Sequence, residues 1–229
     1  MKVVGLCGRE GSGKTFVANL LTSGNSRFDI VEIVDPIQYI VNILFGFSNQ
    51  NNSKLKLKIV DLLAKNNITI KPKRTYRAAF RKKTTNNEWI EMSFADALKQ
   101  IASVIYDIDF NILLAQNSED RKKREQIPDI RTKLEFLGTD VFRNQLDPEI
   151  WIKIVEREIK NYDKIVISDV RFSNEMDFIQ RMNGSLLLIY REPKDLLITS
   201  EDRKTHPAKW SFLESCGNYD NLIMFHNSF

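Results

Sequence analysis

Residues 8–15 read GREGSGKT, and no other stretch constrains the fold of this chain as tightly. The octapeptide fits G-x-x-x-x-G-K-[ST], a phosphate-cradling loop that has to be delivered by a strand and continued by a helix. Its flanks supply that context. Val3 to Cys7 is a short apolar run suited to a buried strand, and from Lys14 to Thr22 the residues Phe16, Val17, Leu20 and Leu21 fall at helical spacing. In such a loop Gly8, Gly11 and Gly13, with Ser12 between them, let successive backbone N–H groups point inward at phosphate oxygens. The helix beginning near Lys14 adds the positive end of its dipole. Lys14 is expected to neutralise the β- and γ-phosphates, and Thr15 to hold Mg²⁺ through its hydroxyl. ATP with Mg²⁺ is therefore the expected ligand. The loop leaves open what receives the phosphoryl group.

The rest of the chain repeats strand and helix patterns. Apolar runs at 28–34, 89–94, 165–168, 186–190 and 222–225 read as strands, several ended by an acid: Asp35, Asp169 and, at the second position of its helix, Asp96. Helical periodicity covers 37–44, 55–67, 95–109, 132–143, 149–160, 174–182 and 207–215. This alternation predicts an α/β fold with a central parallel sheet of about five strands flanked by helices. The segments IVDPIQYIVNILFGF and FADALKQIASVIYDI align Asp35 with Asp96. Either they are an internal duplication or two strand–Asp–helix units share the same patterning. The stretch 48–87 fits least well and reads as a helical and basic insertion: a polar loop SNQNNS, a short helix, then KPKRTYRAAFRKKTTNN. The highly charged 118–130 reads as a mobile flap, so that residues 1–229 form one domain.

Composition bounds the function classes. A hydrophobic content of 42% with 28% charged residues suits a chain that buries a real core. A formal charge of +4 makes nucleic acid an unlikely partner without a concentrated basic patch. No apolar run approaches the ~20 residues of a membrane span. The two cysteines, Cys7 and Cys216, have no metal-type spacing, and a reducing cytoplasm is expected. An N-K-x-D guanine motif is absent, which disfavours a GTPase switch.

Among candidate site residues, Asp169 ends a buried strand, where an acid can hold Mg²⁺ or cap the next helix. Arg171 follows it toward the mouth of the sheet. Transfer between two polyanions requires cations that follow the charge into the transition state. Arg121 and Arg124 in the flap, Arg131 just after it, and Arg143 are placed for that, against the alternative of solvated faces and salt bridges. No general base stands out; His206 in THPAKW reads more readily as a cap. A phosphate monoester dianion is already a competent nucleophile, so an acceptor that is itself a phosphate would explain the lack of a base.

LEFLGTDVFRNQLDPEIWIK (134–153), IVISDVRFSNEMDFI (165–179), IYREP, and SFADALKQIASVIYDID (93–109) together with the P-loop resemble the deoxynucleoside monophosphate kinases of tailed phages and large DNA viruses. The resemblance covers most of 1–23 and 89–209. It implies a P-loop kinase fold and transfer of the γ-phosphoryl of Mg·ATP to a deoxynucleoside 5′-monophosphate. By similarity the family's positions fall on Lys14 and Arg131 at the phosphates, Gly138 at a close approach, Trp151 at the nucleotide pocket and Asp169 at the metal or nucleotide. Asp96, Lys99, Arg143 and Arg171 join the acceptor side. Ala97 stands where the family has Pro, whereas Asp35 keeps its Pro36, so either Asp35 or Asp96 is placed to line the acceptor pocket. His206-Pro207-Ala208-Lys209 lacks the acid of the family's H-x-S-E element. The alternatives are another small-molecule kinase, such as one acting on dephospho-coenzyme A, a nucleic-acid-associated ATPase using the basic 71–83, or a binding protein without turnover. A homodimer is compatible with the sequence.

Overall fold

The computed structural model describes residues 1–22, 28–46, 53–81, 88–205, 210–219 and 222–226. In chain order the elements are β1 (Lys2–Cys7), α1 (Lys14–Thr22), β2 (Phe28–Ile33), α2 (Pro36–Phe45), α3 (Ser53–Lys65), β3 (Tyr76–Arg81), β4 (Trp89–Met92), α4 (Ala95–Tyr106), α5 (Phe110–Leu114), α6 (Ser118–Glu125) and α7 (Ile130–Glu135). A π-helical segment Phe136–Arg143 leads to α8 (Ile150–Ile159), β5 (Lys164–Ile167), α9 (Ser173–Arg181), β6 (Ser185–Tyr190), a 3₁₀ turn Pro193–Leu196, α10 (Ser200–Arg203), α11 (Ser211–Ser215) and β7 (Leu222–His226). The chain divides into two compact units. One comprises 1–26, 83–94 and 155–229, the other 27–82 and 95–154.

The first unit is built on a five-stranded sheet in the order β4-β5-β1-β6-β7, every pairing parallel. This is the expected α/β architecture. β1 lies between β5 and β6, so the loop after β1 and the acid after β5 emerge from adjacent strands at the carboxyl edge, where open parallel sheets bind ligands. Leu6, Ala18, Val166 and Ile189 form a buried cluster that joins α1 to the sheet, with Val17 and Trp89 packed against it. Each large apolar side chain buried this fully contributes about 1.5–3 kcal/mol. α9 packs against β1 and β6. The Cys7 thiol donates to the Leu187 carbonyl at 3.6 Å, and the nearby Cys216 thiol, remote in sequence, together with burial pushes its pKa up.

The second unit is organised around α4, which packs against α2, β3, α5, α7 and the π segment. Burial on nearly every side, from Asp96 and Ala97 through Gln100–Ile105, explains why its sequence is more apolar than a surface helix requires. Here the structure departs from the strand pattern. Residues 28–33 do not join the parallel sheet; they pair antiparallel with Tyr76–Arg81 in a separate two-stranded ribbon. The second strand lies inside the basic stretch. Tyr76, Ala78 and Ala79 are buried, while the interleaved basic residues find aspartate partners. Lys73 pairs with Asp107, Arg77 with Asp109 at 2.9 Å, and Arg81 with Asp96 at 2.7 Å. A run that reads as a cationic surface is thus partly internal ion pairing.

The two Asp–helix units also differ. Asp35 is an exposed N-cap that accepts from Gln38 N and pairs with Lys56, whereas Asp96 lies inside the first turn of α4 and is buried. Their likeness in sequence is not matched by a likeness in environment. The helix expected at 132–143 is α7 followed by the π segment. The polar loop at 48–52, the end of the basic stretch at 82–87 and His206–Lys209 lie outside the described residues. Among the described residues no helix is long and apolar enough to cross a membrane.

At Gly138 in the π segment an added methyl would have to push the tip of the Leu98 side chain aside. A Cβ there would stand 2.7 Å from Leu98 Cδ2 on α4. Gly138→Ala is expected to cost about 1–3 kcal/mol by overpacking. In urea melts the effect should be non-additive with Leu98→Ala, which makes room at the same contact.

Candidate active site

The phosphate cradle belongs to the first unit. β1 ends at Cys7, and Gly8 turns the chain with φ 140°. A Cβ at Gly8 would lie 2.2 Å from the carbonyl oxygen of Ile189 on β6, so only glycine fits. Gly11 and Gly13 also adopt positive φ, at 77° and 100°. Lys14 opens α1 and curls back over the loop, its Nζ donating to the carbonyls of Gly8 and Arg9, each at 2.7 Å. Burial, reinforced by the nearby Arg171 guanidinium, brings its pKa from the ordinary 10.5 down to about 8; Asp169 acts in the opposite direction. Lys14, Arg171 and Asp169 are therefore one electrostatic neighbourhood. Thr15 is exposed at the start of α1.

Asp169 follows β5 and is fixed from the neighbouring strand. Its Oδ2 accepts from Ser93 Oγ at 2.5 Å and its Oδ1 from Phe94 N at 2.8 Å, both just past the end of β4. The remainder of DVRFSNE has a mechanical explanation. Val170 is fully buried and donates to the Leu6 carbonyl at 3.1 Å. Glu175, 2% exposed, reaches back from α9 to accept from Arg171 N at 2.8 Å and Phe172 N at 3.1 Å. The acid thus caps the helix and sets the backbone of Arg171, whose side chain is left exposed.

The other candidates lie in the second unit. Asp96 pairs with Arg81, whose guanidinium also covers the Phe28 ring at 4.8 Å. Lys99 is half-buried one turn along α4. Trp151 is buried; its Nε1 donates to the Gly138 carbonyl at 3.0 Å, and its ring meets Phe142 edge-on at 5.7 Å. Its indole therefore fixes the π segment, a helix form that often marks functional sites. Arg143 is also buried and donates to the Pro148 carbonyl at 3.3 Å. Arg131 is exposed on α7. α6 buries no residue; it carries an exposed Arg121 and a half-buried Arg124 that donates to Leu113 O at 3.4 Å.

The site as read from sequence omits Ser93, Arg81, Glu175 and Arg9. Ser93 and Glu175 have a visible signal, since each sits within a motif next to a chosen residue. Arg81 has none, because its partner is 15 positions away across a strand not evident in the pattern.

The donor set can be compared with the needs of a metal. Among the described residues no group of three or more His, Cys, Asp or Glu could hold an ion. One exposed hydroxyl, Thr15, and one oriented carboxylate, Asp169, suit Mg²⁺, which keeps water and substrate phosphates as its other ligands.

A family model described as deoxynucleotide monophosphate kinase matches residues 2–206 of the chain. A protein of Acanthamoeba polyphaga mimivirus, named as a candidate deoxynucleotide monophosphate kinase, is 30% identical over 156 residues, spanning 59% of this chain and 75% of its own length.

Proposed function

Because the chain belongs to the deoxynucleotide monophosphate kinase family, we propose that it transfers the γ-phosphoryl group of Mg·ATP to a deoxynucleoside 5′-monophosphate, giving a dNDP and ADP. The observation that best supports ATP as donor is the state of Lys14. Its ammonium rests on loop carbonyls beside a second cation, Arg171, and its pKa is depressed. An incoming polyphosphate would relieve that repulsion and replace the carbonyls with anionic oxygens. Gly8, Gly11, Ser12 and Gly13 would supply the surrounding backbone of the cradle.

Thr15 and Asp169 would hold Mg²⁺, which when bound neutralises charge on the transferring phosphate. Ser93 and the Phe94 amide keep Asp169 in place for that role. On the acceptor side, Asp96, Lys99, Arg143 and Arg171 would bind the monophosphate. Gly138 and Trp151 would act by holding the π segment in shape. Arg121, Arg124 and Arg131 would neutralise phosphate charge as 118–130 closes and excludes water. We read the whole as one kinase domain with an insertion around 48–87, working in the cytoplasm. The ion pairing of Lys73, Arg77 and Arg81 favours a small-molecule acceptor over a polynucleotide.

ADP formation from Mg·ATP, measured with the four dNMPs, the four NMPs, dephospho-coenzyme A and single-stranded DNA in turn, tests this. At least one dNMP should stimulate it strongly. Stimulation by DNA alone, or by dephospho-coenzyme A alone, would replace the proposal with the corresponding rival.

Arg131 is given its role by similarity and by its place after the charged segment. Its planar fork can hold two phosphate oxygens at once, which a lysine cannot do. Arg131→Lys is expected to lose ~100-fold in kcat, ~2.7 kcal/mol of barrier, with little change in Tm because the residue is exposed. A mere surface pair would instead give a stability change of at most ~1 kcal/mol and normal turnover.

A further inference from the structure

Arg9, the first variable residue of the P-loop, directs its side chain away from the loop. Its Nε donates to the Asp195 carbonyl at 2.9 Å and one terminal nitrogen to the Leu197 carbonyl at 2.5 Å. The two terminal nitrogens also grip both oxygens of Asp202, at 2.7 and 2.9 Å. These four bonds satisfy most of a guanidinium's donors in the bidentate geometry that makes such pairs strong.

The receptor for Arg9 is stiffened from within. Asp202 is also the third helical residue of a capping box. Its Oδ2 accepts from Thr199 N and Thr199 Oγ1, both at 2.8 Å, and Thr199 Oγ1 accepts from Asp202 N at 3.1 Å. Asp195 folds its carboxylate back onto Arg191 N and Glu192 N, at 3.0 and 3.1 Å. Two self-capped turns thus present two carbonyls and one carboxylate to a single cation. Arg9 and Asp202 are 21% and 17% exposed at their side chains, so this pair is less screened by solvent than an ordinary surface ion pair.

The other end of Arg9 lies in the cradle. Its carbonyl receives Lys14 Nζ at 2.7 Å and Ser12 N at 3.2 Å. The loop around it carries three glycines at positive φ, residues with little conformational preference of their own. An anchor outside the loop restricts that freedom before any ligand arrives.

We propose that Arg9 and Asp202 are positioning residues for the phosphoryl donor: the clamp ties the 191–204 segment to the P-loop and holds the cradle in its phosphate-ready shape. This rests on the cradle binding ATP. It assigns 191–204 a part in donor affinity, with no direct contact to the reacting atoms. Without the clamp, the ordering of the loop falls to the nucleotide, and that cost appears as weaker donor binding.

The test is titration of the full-length protein with a fluorescent ATP analogue, alongside steady-state kinetics. Arg9→Met and Asp202→Asn should each weaken analogue binding about tenfold and raise KM for ATP in parallel, with KM for dNMP unchanged. The double variant should be no weaker than Arg9→Met alone, because the two act as one unit, and Arg9→Lys should fall between. Folding is checked by Tm. If Arg9→Met does not fold, Asp202→Asn and Arg9→Lys carry the comparison. Unchanged analogue affinity in folded variants, additive losses, or lower kcat at unchanged KM for ATP would overturn the inference. Absence of dNMP-stimulated turnover by the wild type would overturn the proposed reaction and leave the analogue titration standing as a measure of the clamp.

Discussion

Lys14→Ala is expected to lose at least ~1000-fold in kcat, ~4 kcal/mol of barrier, in a protein that stays folded. The ammonium is assigned to charge that develops on the transferring phosphate, so its loss should appear in kcat more than in KM for the acceptor. Its stability effect has the opposite sign to that of a core residue. Folding holds the Lys14 pKa at about 8 against the ordinary 10.5, so the unfolded chain binds this proton more tightly. The resulting destabilisation is complete below about pH 8 and disappears by about pH 10.5, where both states have lost the proton. Removing the ammonium should therefore leave Tm at pH 7 unchanged or slightly higher. A variant with normal turnover would dismiss Lys14 from the chemistry. A variant that unfolds would make it a structural lysine.

Arg81→Met is expected to destabilise the protein by about 3–5 kcal/mol, the cost of removing one partner of a buried ion pair. Arg81 and Asp96 are 9% and 3% exposed at their side chains, and the guanidinium also covers Phe28. The substitution keeps the stem's apolar contacts and leaves the Asp96 carboxylate without this counter-charge. Adding Asp96→Asn should recover part of the loss, because a neutral amide is easier to bury. Urea denaturation of the two single variants and the double completes the cycle. Equal effects from Lys73→Met and Arg81→Met would show that burial of this pair carries no special weight. Lys73 and Asp107, more exposed, should couple by only ~0–1 kcal/mol. Within the basic stretch, Lys73 is therefore expected to be replaceable at little cost in stability, and Arg81 is not.

Local patterning carries the first unit almost entirely. β1, the glycine loop and α1 follow from one contiguous stretch, Lys2 to Thr22, and β5 with Asp169 follows from a run of branched apolar residues. These features are legible because each depends on neighbours in sequence. The second unit is less legible for the same reason. β3 is hidden because Arg77 and Arg81 interrupt an apolar alternation, and the aspartates that receive them lie on or just beyond α4. The π segment is invisible to a period of 3.6, since it shares its apolar spacing with an ordinary helix. The contacts around it, Leu98 beside Gly138 and the Trp151 indole on the Gly138 carbonyl, are tertiary. Arg9 is hidden more deeply, because the motif treats its position as variable and its partner stands 193 residues away. In each case the missing knowledge is the identity of the far partner.

The central claim is phosphoryl transfer from ATP to a deoxynucleoside monophosphate. The most direct measurement is to incubate the wild-type protein with Mg²⁺, a dNMP and ATP carrying ¹⁸O in its γ-phosphoryl group, and to analyse the nucleotides by mass spectrometry. The account predicts labelled dNDP appearing in step with ADP, with the label in the terminal phosphate, and both products forming at least ~1000-fold more slowly with Lys14→Ala. Labelled inorganic phosphate in place of labelled dNDP, for every dNMP offered, would mean that water is the acceptor and would contradict it.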